Sequence, residues 1–153
     1  MTKHVSVRLP DELVTVLKEG RTVGILATFS EKGIPNTTPL QWIYPKGTES
    51  LLLSIHKDHV GYHNMAWQKK VMISFLEDGN IAYSVLGRAG VVRAPSEVHP
   101  LVNVVRIDVI DVKNDQSVLS KIDTGVRMSY TSFEAEELSR AVMNELKELS
   151  ISL

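Results

Sequence analysis

The chain has 153 residues, of which 43% are hydrophobic and 23% charged, and its formal net charge is -1. This length suits a single domain, and the near balance of acidic and basic residues gives no support for a nucleic-acid-binding protein. The absence of cysteine excludes disulfides, zinc ribbons, iron–sulfur clusters and cysteine nucleophiles. No apolar stretch approaches the ~20 residues that span a bilayer, and the N-terminal residues lack the apolar core of a signal peptide. We therefore expect one domain over residues 1–153, in the cytoplasm and not bound to a membrane.

The first half of the chain predicts a short helix followed by three strands. The helix begins at Pro10, where two acidic residues follow and complement the helix dipole, and it ends near Gly20. Runs rich in β-branched and apolar residues then predict strands over 22–29, 34–44 and 51–56. Two prolines in the second strand place it at a sheet edge or at a bulge, because proline cannot donate to a ladder.

The second half predicts a short helix and further strands. The helix covers 59–68, with Asp58 as its candidate cap. The glycine-rich residues 87–90 are interpreted as a turn or bulge rather than a phosphate loop, because they do not open a helix. The apolar residues of the last strand change face near Val109, which predicts a bulge there. The strands are expected over 71–76, 81–86, 91–93 and 102–112.

A final helix is the clearest element of the pattern. Residues 131–134 have capping-box spacing, and apolar residues then recur on one face at Leu138, Val142, Leu146 and Leu149. Because most strands follow one another through hairpins, the sheet is expected to be mostly antiparallel. Six or so strands with few helices predict a mainly β fold, a closed or half-closed barrel that leaves few exposed edges.

The most unusual segment for chemistry is 54–64, which holds three of the five histidines. It joins the end of a strand to the start of a helix, where backbone N–H groups and the helix dipole favour an anion such as phosphate. The spacing of His56, His59 and His63 is also compatible with a metal, although no supporting carboxylate motif accompanies it. The alternative interpretation is an ordinary solvated loop. No serine has an evident base partner, so hydrolysis by a serine nucleophile has little support. The sequence assigns no catalytic residue.

Several of these residues occur in a pattern that resembles a known family. The first hairpin contains Ala27-Thr28, Gly33, Pro35 and Pro39 at the spacing found in the pyridoxamine 5'-phosphate oxidase-like proteins, the FMN-binding split barrels. The similarity continues through 51–54, 64–65, 70–75 and Gly87, and covers roughly residues 9–112.

The resemblance implies a six-stranded antiparallel split barrel of the Greek-key type, with flanking helices. It also implies a homodimer that holds FMN in two clefts at the dimer interface. Trp67 is a candidate contact in such a dimer. By position, the cofactor-binding residues would be Thr37, Thr38, Leu40, Gln41, Ser54, Ile55, His56, Lys57, His59, Tyr62, His63 and Asn64.

Two positions differ from the oxidases proper. Those enzymes have an arginine where this chain has Thr38, and a Ser-Arg-Lys run where it has His59-Val60-Gly61. The leading hypothesis is therefore an FMN-binding, flavin-dependent oxidoreductase that acts on a small molecule but is not the oxidase proper. The alternatives are a haem- or metal-binding split barrel, or a non-catalytic dimeric module that has lost its cofactor.

Overall fold

The computed structural model describes the backbone of residues 3–153 and the side chains of residues 7–153. Within that range the chain forms eight strands and three helices. In chain order these are β1 (Lys3–Ser6), α1 (Asp11–Lys18), β2 (Gly24–Phe29), β3 (Pro35–Leu40), β4 (Ile43–Lys46), β5 (Ser50–His56), α2 (Val60–Trp67), β6 (Lys70–Glu77), β7 (Ile81–Arg93), β8 (Val102–Asn114) and α3 (Phe133–Ser152).

The strands form one curled antiparallel sheet in the order β3-β2-β6-β7-β8-β5-β4, with β1 added beside β8. The two ends of this order, β3 and β4, are consecutive in the chain and are separated only by Gln41 and Trp42. The sheet therefore curls back on itself, which confirms the predicted mainly β split barrel. There are more strands than the six predicted, because β1 joins the sheet and the expected strand over 34–44 divides at Gln41 and Trp42.

The long strand β7 runs through the glycine-rich residues without a turn. The register of β7 on β8 passes from Leu86 opposite Asp111 to Gly87 opposite Val109, so Ile110 is an extra residue in β8. This bulge confirms the one predicted from the change of face, whereas the predicted interruption of the strand is wrong. A Cβ at Gly87 would clash with the Ile107 side chain and lie 2.8 Å from the Asp108 carbonyl oxygen.

The main core fills the inside of the curled sheet. Helix α1 closes one end of it, with Leu13 and Leu17 fully buried. The hydroxyl of Tyr83 donates a hydrogen bond to Glu12 on the same helix. Burial, together with that carboxylate, raises the pKa of Tyr83 to about 12.

The strand β5 is buried on both faces, and this determines where α3 lies. Leu51 and Leu53 face the inside of the barrel, while Leu52 packs outside it against Leu146 and Leu149 of α3. The cap of α3 is Ser132, whose hydroxyl accepts a hydrogen bond from the backbone N–H three residues later. None of the helices in the described part of the chain is long and apolar enough to cross a membrane.

The contact at Gly87 gives a stability prediction. We expect Gly87→Ala to lower the free energy of unfolding by about 1–3 kcal/mol, because the new methyl group must displace backbone and a packed side chain. Gly90→Ala is the matched control in the same strand, since nothing lies within 4 Å of its Cβ position. Urea denaturation of both variants measures the difference. Equal stability of the two would contradict the described packing of β7 on β8.

Candidate functional site: a cleft between the open ends of the sheet and the C-terminal helix

A cleft of about 350 Å³ lies where the chain passes from β3 to β4 and from β5 to α2. Its volume is at the lower end of the range of small-molecule sites. One wall comes from these strand ends, and the opposite wall comes from the segment before α3 and the start of that helix. The lining residues are Thr38, Pro39, Leu40, Gln41, Trp42, Ser54, Ile55, His56, His59, Met128, Tyr130, Ala135, Leu138 and Ser139.

This cleft brings together many of the residues predicted to bind a cofactor. They are Thr38, Leu40, Gln41, Ser54, Ile55, His56 and His59. The curl of the sheet explains their meeting. Only Gln41 and Trp42 separate β3 from β4, and β4 pairs with β5. The C-terminal ends of β3 and β5 therefore lie close together at the opening of the sheet.

The other predicted residues lie elsewhere. Thr37 and Lys57 are exposed outside the lining, and His63 is exposed on α2. Tyr62 lines a separate pocket of about 140 Å³ between α2 and β7. The amide of Asn64 is buried and donates to the Thr28 hydroxyl at 3.0 Å, so it ties α2 to β2. Among residues 7–153, no three His, Asp or Glu side chains are placed to hold a metal, so the three histidines of segment 54–64 do not form a ligand set.

Two histidines line the cleft, and the contacts of their Nδ1 atoms show which ring nitrogen carries the proton. His59, rather than the predicted Asp58, caps α2: its Nδ1 accepts the Gly61 backbone N–H at 2.9 Å. The Nδ1 of His56 accepts the Asp58 N–H at 3.1 Å. A neutral ring whose Nδ1 accepts a hydrogen bond carries its proton on Nε2. The Nε2 of His59 lies 3.3 Å from the Thr38 hydroxyl, so donors from α2 and β3 converge at one end of the cleft.

Ser54 contributes a buried hydroxyl to the floor of the cleft. The residue is 2% exposed, and its Oγ has no hydrogen-bond partner among the described residues. Its backbone N–H donates a hydrogen bond to the Trp42 carbonyl oxygen at 3.0 Å, which fixes the residue in place. A buried polar group without a partner costs about 1–3 kcal/mol. A polar atom of a ligand in the cleft could satisfy this hydroxyl.

The opposite wall contains a chain of hydrogen bonds. Gln41 Nε2 donates to the Tyr130 hydroxyl at 3.1 Å, and that hydroxyl lies 3.0 Å from the Ser139 Oγ. Trp42 Nε1 also donates to the Ser139 Oγ at 3.0 Å. These contacts join the connection between β3 and β4 to α3. Sequence reasoning missed Tyr130 and Ser139, because the first lies in a segment without periodicity and the second occurs among ordinary helical residues.

Residues 121–131, which we call the C-terminal strap, lead into that wall and are held at several points. The Gly125 N–H donates to Asp78 at 2.7 Å, and Arg127 Nη1 donates to the buried carboxylate of Glu77 at 3.0 Å. The Gly125 hydrogen bond, with the nearby Arg127 guanidinium, holds the pKa of Asp78 below its usual value. Upstream, the Asn80 side chain accepts the Ile122 N–H at 2.9 Å.

Helix α3 is fixed to the sheet by a buried carboxylate. Glu145 is 5% exposed and accepts hydrogen bonds from the Ser96 hydroxyl at 2.5 Å, the Glu97 N–H at 2.9 Å and Arg93 at 3.0 Å. Burial by itself would raise the pKa of Glu145, but these donors outweigh it and hold the pKa below its usual value. The charged form of Glu145 is therefore the one that the fold stabilises.

This carboxylate predicts acid-sensitive docking of α3. Because its pKa is lowered on folding, its contribution is present above the unfolded value of about 4.5 and is lost as the pH falls through the folded pKa. We expect Glu145→Gln to reduce the free energy of unfolding by about 1–3 kcal/mol at neutral pH and by progressively less below pH about 4.5. Glu148→Gln, at an exposed position of the same helix, is the control. A Glu145→Gln effect that is independent of pH would contradict this account.

Comparison with protein families gives a match over most of the chain. The pyridoxamine 5'-phosphate oxidase family matches residues 9–120 of the chain. That range includes β2 to β8 and the strand side of the cleft. Residues 121–153, which provide the opposite wall, lie beyond it. A comparison with the curated proteins gives no match.

Solved structures show the same fold. A provisionally assigned pyridoxamine 5'-phosphate oxidase from Lactobacillus delbrueckii is 22% identical with a TM-score of 0.62, covering 72% of this chain and 98% of that chain. HupZ of Group A Streptococcus is 17% identical with a TM-score of 0.61, covering 79% and 99%. A provisionally assigned pyridoxamine 5'-phosphate oxidase from Listeria innocua is 13% identical with a TM-score of 0.57, covering 70% and 98%.

Proposed function

The chain belongs to the pyridoxamine 5'-phosphate oxidase family, and from this premise we propose that its cleft binds FMN and that the protein is a flavin-dependent oxidoreductase. The observation that carries the proposal is the composition of the cleft. Hydrogen-bond donors gather at one end, apolar side chains line the rest, and the buried Ser54 hydroxyl has no partner. A phosphate ester attached to a planar ring system matches that division.

The donor end suits the phosphate. Thr38, His56 and His59 supply a hydroxyl and two ring N–H groups, and His59 stands at the N-terminus of α2. Such a set accepts a phosphate without the arginine and lysine of the oxidases proper. These differences are why we assign FMN binding without assigning oxidation of pyridoxamine phosphate.

The apolar part suits the ring. Pro39, Leu40 and Ile55 come from the strand side, and Met128 and Leu138 from the opposite side. When bound, the flavin supplies the redox chemistry, whereas the protein binds and orients it and limits the access of water. The hydroxyl of Ser54 and the amide of Gln41 are the polar groups placed to contact the heteroatoms of the ring.

The alternatives have less support from the geometry. Haem or metal binding through segment 54–64 would use His56, His59 and His63, but His63 lies on an exposed part of α2 outside the cleft. In a module without a cofactor, the buried hydroxyl of Ser54 would remain without a hydrogen-bond partner, which is unfavourable. An absorption spectrum of the protein mixed with haem, and turnover of the flavin-loaded protein, test these two alternatives.

The FMN proposal predicts a selective effect at His59. We expect saturable quenching of FMN fluorescence by the wild-type protein. His59→Asn should weaken FMN binding by about tenfold or more, because asparagine keeps the helix cap but removes the Nε2–H donor. Binding of riboflavin, which has no phosphate, should change little.

A second histidine provides the control for this experiment. The Nδ1 of His99 accepts the Leu101 N–H at 3.1 Å, the same local contact that His59 makes, but His99 lies outside the cleft. His99→Asn should therefore leave the affinities for both flavins unchanged. Absence of saturable FMN quenching by the wild-type protein would overturn the proposed function.

We also propose that the protein is a homodimer. Large apolar side chains are exposed on α2 and on the β2–β3 hairpin against which it packs, and these are Phe29, Ile34, Val60 and Trp67. Exposed apolar side chains gathered on neighbouring elements are typical of an interface. A two-fold contact is the commonest way to cover them.

Light scattering tests the dimer. The wild-type particle should have twice the 17.0 kDa mass of the chain at micromolar concentration. Trp67→Arg should shift it toward the monomer, because a charge would then have to be buried in the interface. Phe133→Arg is the control, since Phe133 is also an exposed aromatic residue but lies on α3, which packs on β4 and β5. A wild-type particle of 17.0 kDa would contradict the proposal.

A further inference from the structure

The hydrogen bonds around Tyr130 hold the side chain of Gln41 in place at the wall of the cleft. Trp42 Nε1 can only donate, and it donates to the Ser139 Oγ. The Tyr130 hydroxyl accepts from Gln41 Nε2, so its own hydrogen is free to be donated to the Ser139 Oγ. Trp42 Nε1, Gln41 Nε2 and the Tyr130 hydroxyl then each have an acceptor, and the Ser139 Oγ accepts twice.

This network leaves the amide oxygen of Gln41 available to accept a hydrogen bond from a ligand. With Nε2 bonded to Tyr130, the Oε1 of Gln41 has no hydrogen-bond partner among residues 7–153. Gln41 lines the cleft at the connection between β3 and β4, on the side that the apolar ring would occupy. Without Tyr130 the amide would be free to rotate and present either its oxygen or its NH2 group.

Tyr130 itself is held by contacts at a distance from the cleft. The C-terminal strap lies so close to the end of β6 that a Cβ at Gly125 would be 2.8 Å from the Leu76 carbonyl oxygen. Arg127, which directly precedes Met128 and is three residues before Tyr130, is paired with Glu77 and Asp78. The other end of the wall is fixed by α3 through Glu145. The position of Tyr130 is therefore set by contacts between residues 121–153 and the barrel.

We propose that Tyr130 is a positioning residue, which holds Gln41 so that its carbonyl oxygen accepts a hydrogen bond from an N–H group on the edge of the bound ring. This inference rests on the proposed function and adds a rule of selection to it: the cleft prefers a ring with an N–H donor edge. The imide N–H of the flavin ring is a donor of this kind. The residue acts through Gln41 and takes no part in the redox step.

The experiment compares FMN with FMN methylated on its imide nitrogen, by fluorescence quenching or equilibrium dialysis. The wild-type protein should bind FMN about tenfold more tightly than the methylated compound, because methylation removes the hydrogen bond and leaves the Gln41 oxygen covered by the ligand without a partner. In Tyr130→Phe this preference should fall to about threefold or less, since the phenyl ring keeps the wall but no longer holds the amide. Tyr44→Phe, which removes a hydroxyl outside the cleft, should retain the wild-type preference.

A double-mutant cycle separates positioning from general support of the wall. Gln41→Met should also lower the preference to about threefold or less, and adding Tyr130→Phe to it should change the ratio no further. If Tyr130 only supported the wall, Tyr130→Phe would weaken both ligands by the same factor and keep the ratio.

The outcomes distinguish the inference from the proposed function. A wild-type protein that binds FMN without preferring it, or a Tyr130→Phe variant that keeps the full preference, would overturn this inference and leave the FMN proposal standing. A wild-type protein that binds neither flavin would overturn both.

Discussion

Glu145 is a buried negative charge between α3 and the connection from β7 to β8, and the second wall of the cleft depends on its being paired. Removing such a group from water is costly unless donors replace its hydration, and here a hydroxyl, a backbone N–H and a guanidinium do so. The pairing fixes the side of α3 that faces β4 and β5. Ser139 and Leu138, two turns earlier on the helix, are thereby placed against the strand ends.

The cleft is produced by two levels of structure. The curled sheet brings the end of β3 and the end of β5 to one opening, which gathers Thr38, Ser54 and His59 from distant parts of the chain. The segment beyond the family match then closes that opening from the other side. Under the proposed function the two parts differ in role: the barrel supplies the donors for an anion, and the added wall selects what lies beside it.

The sequence was most informative where a short-range rule determined the structure. The change of face near Val109 correctly predicted a bulge, because side chains alternate strictly in a strand. The approach of segment 54–59 to β3 followed from the resemblance. The sequence was less informative about α2. Successive residues of a helix point in different directions. Tyr62, His63 and Asn64 therefore lie outside the cleft, although they are close to His59 in the chain. Tyr130 could not have been predicted, because its contact with Gln41 joins residues 89 positions apart through a segment without regular structure.

The central claim is that the strand ends and the segment before α3 form one binding site. Hydrogen–deuterium exchange with and without FMN tests it most directly, because it reports on each peptide of the chain. The account predicts that FMN protects peptides covering 37–42, 54–60 and 128–139 together. Protection confined to 62–69 and 89–91, around the separate pocket beside α2, or no protection of 128–139 while the strand ends are protected, would contradict it.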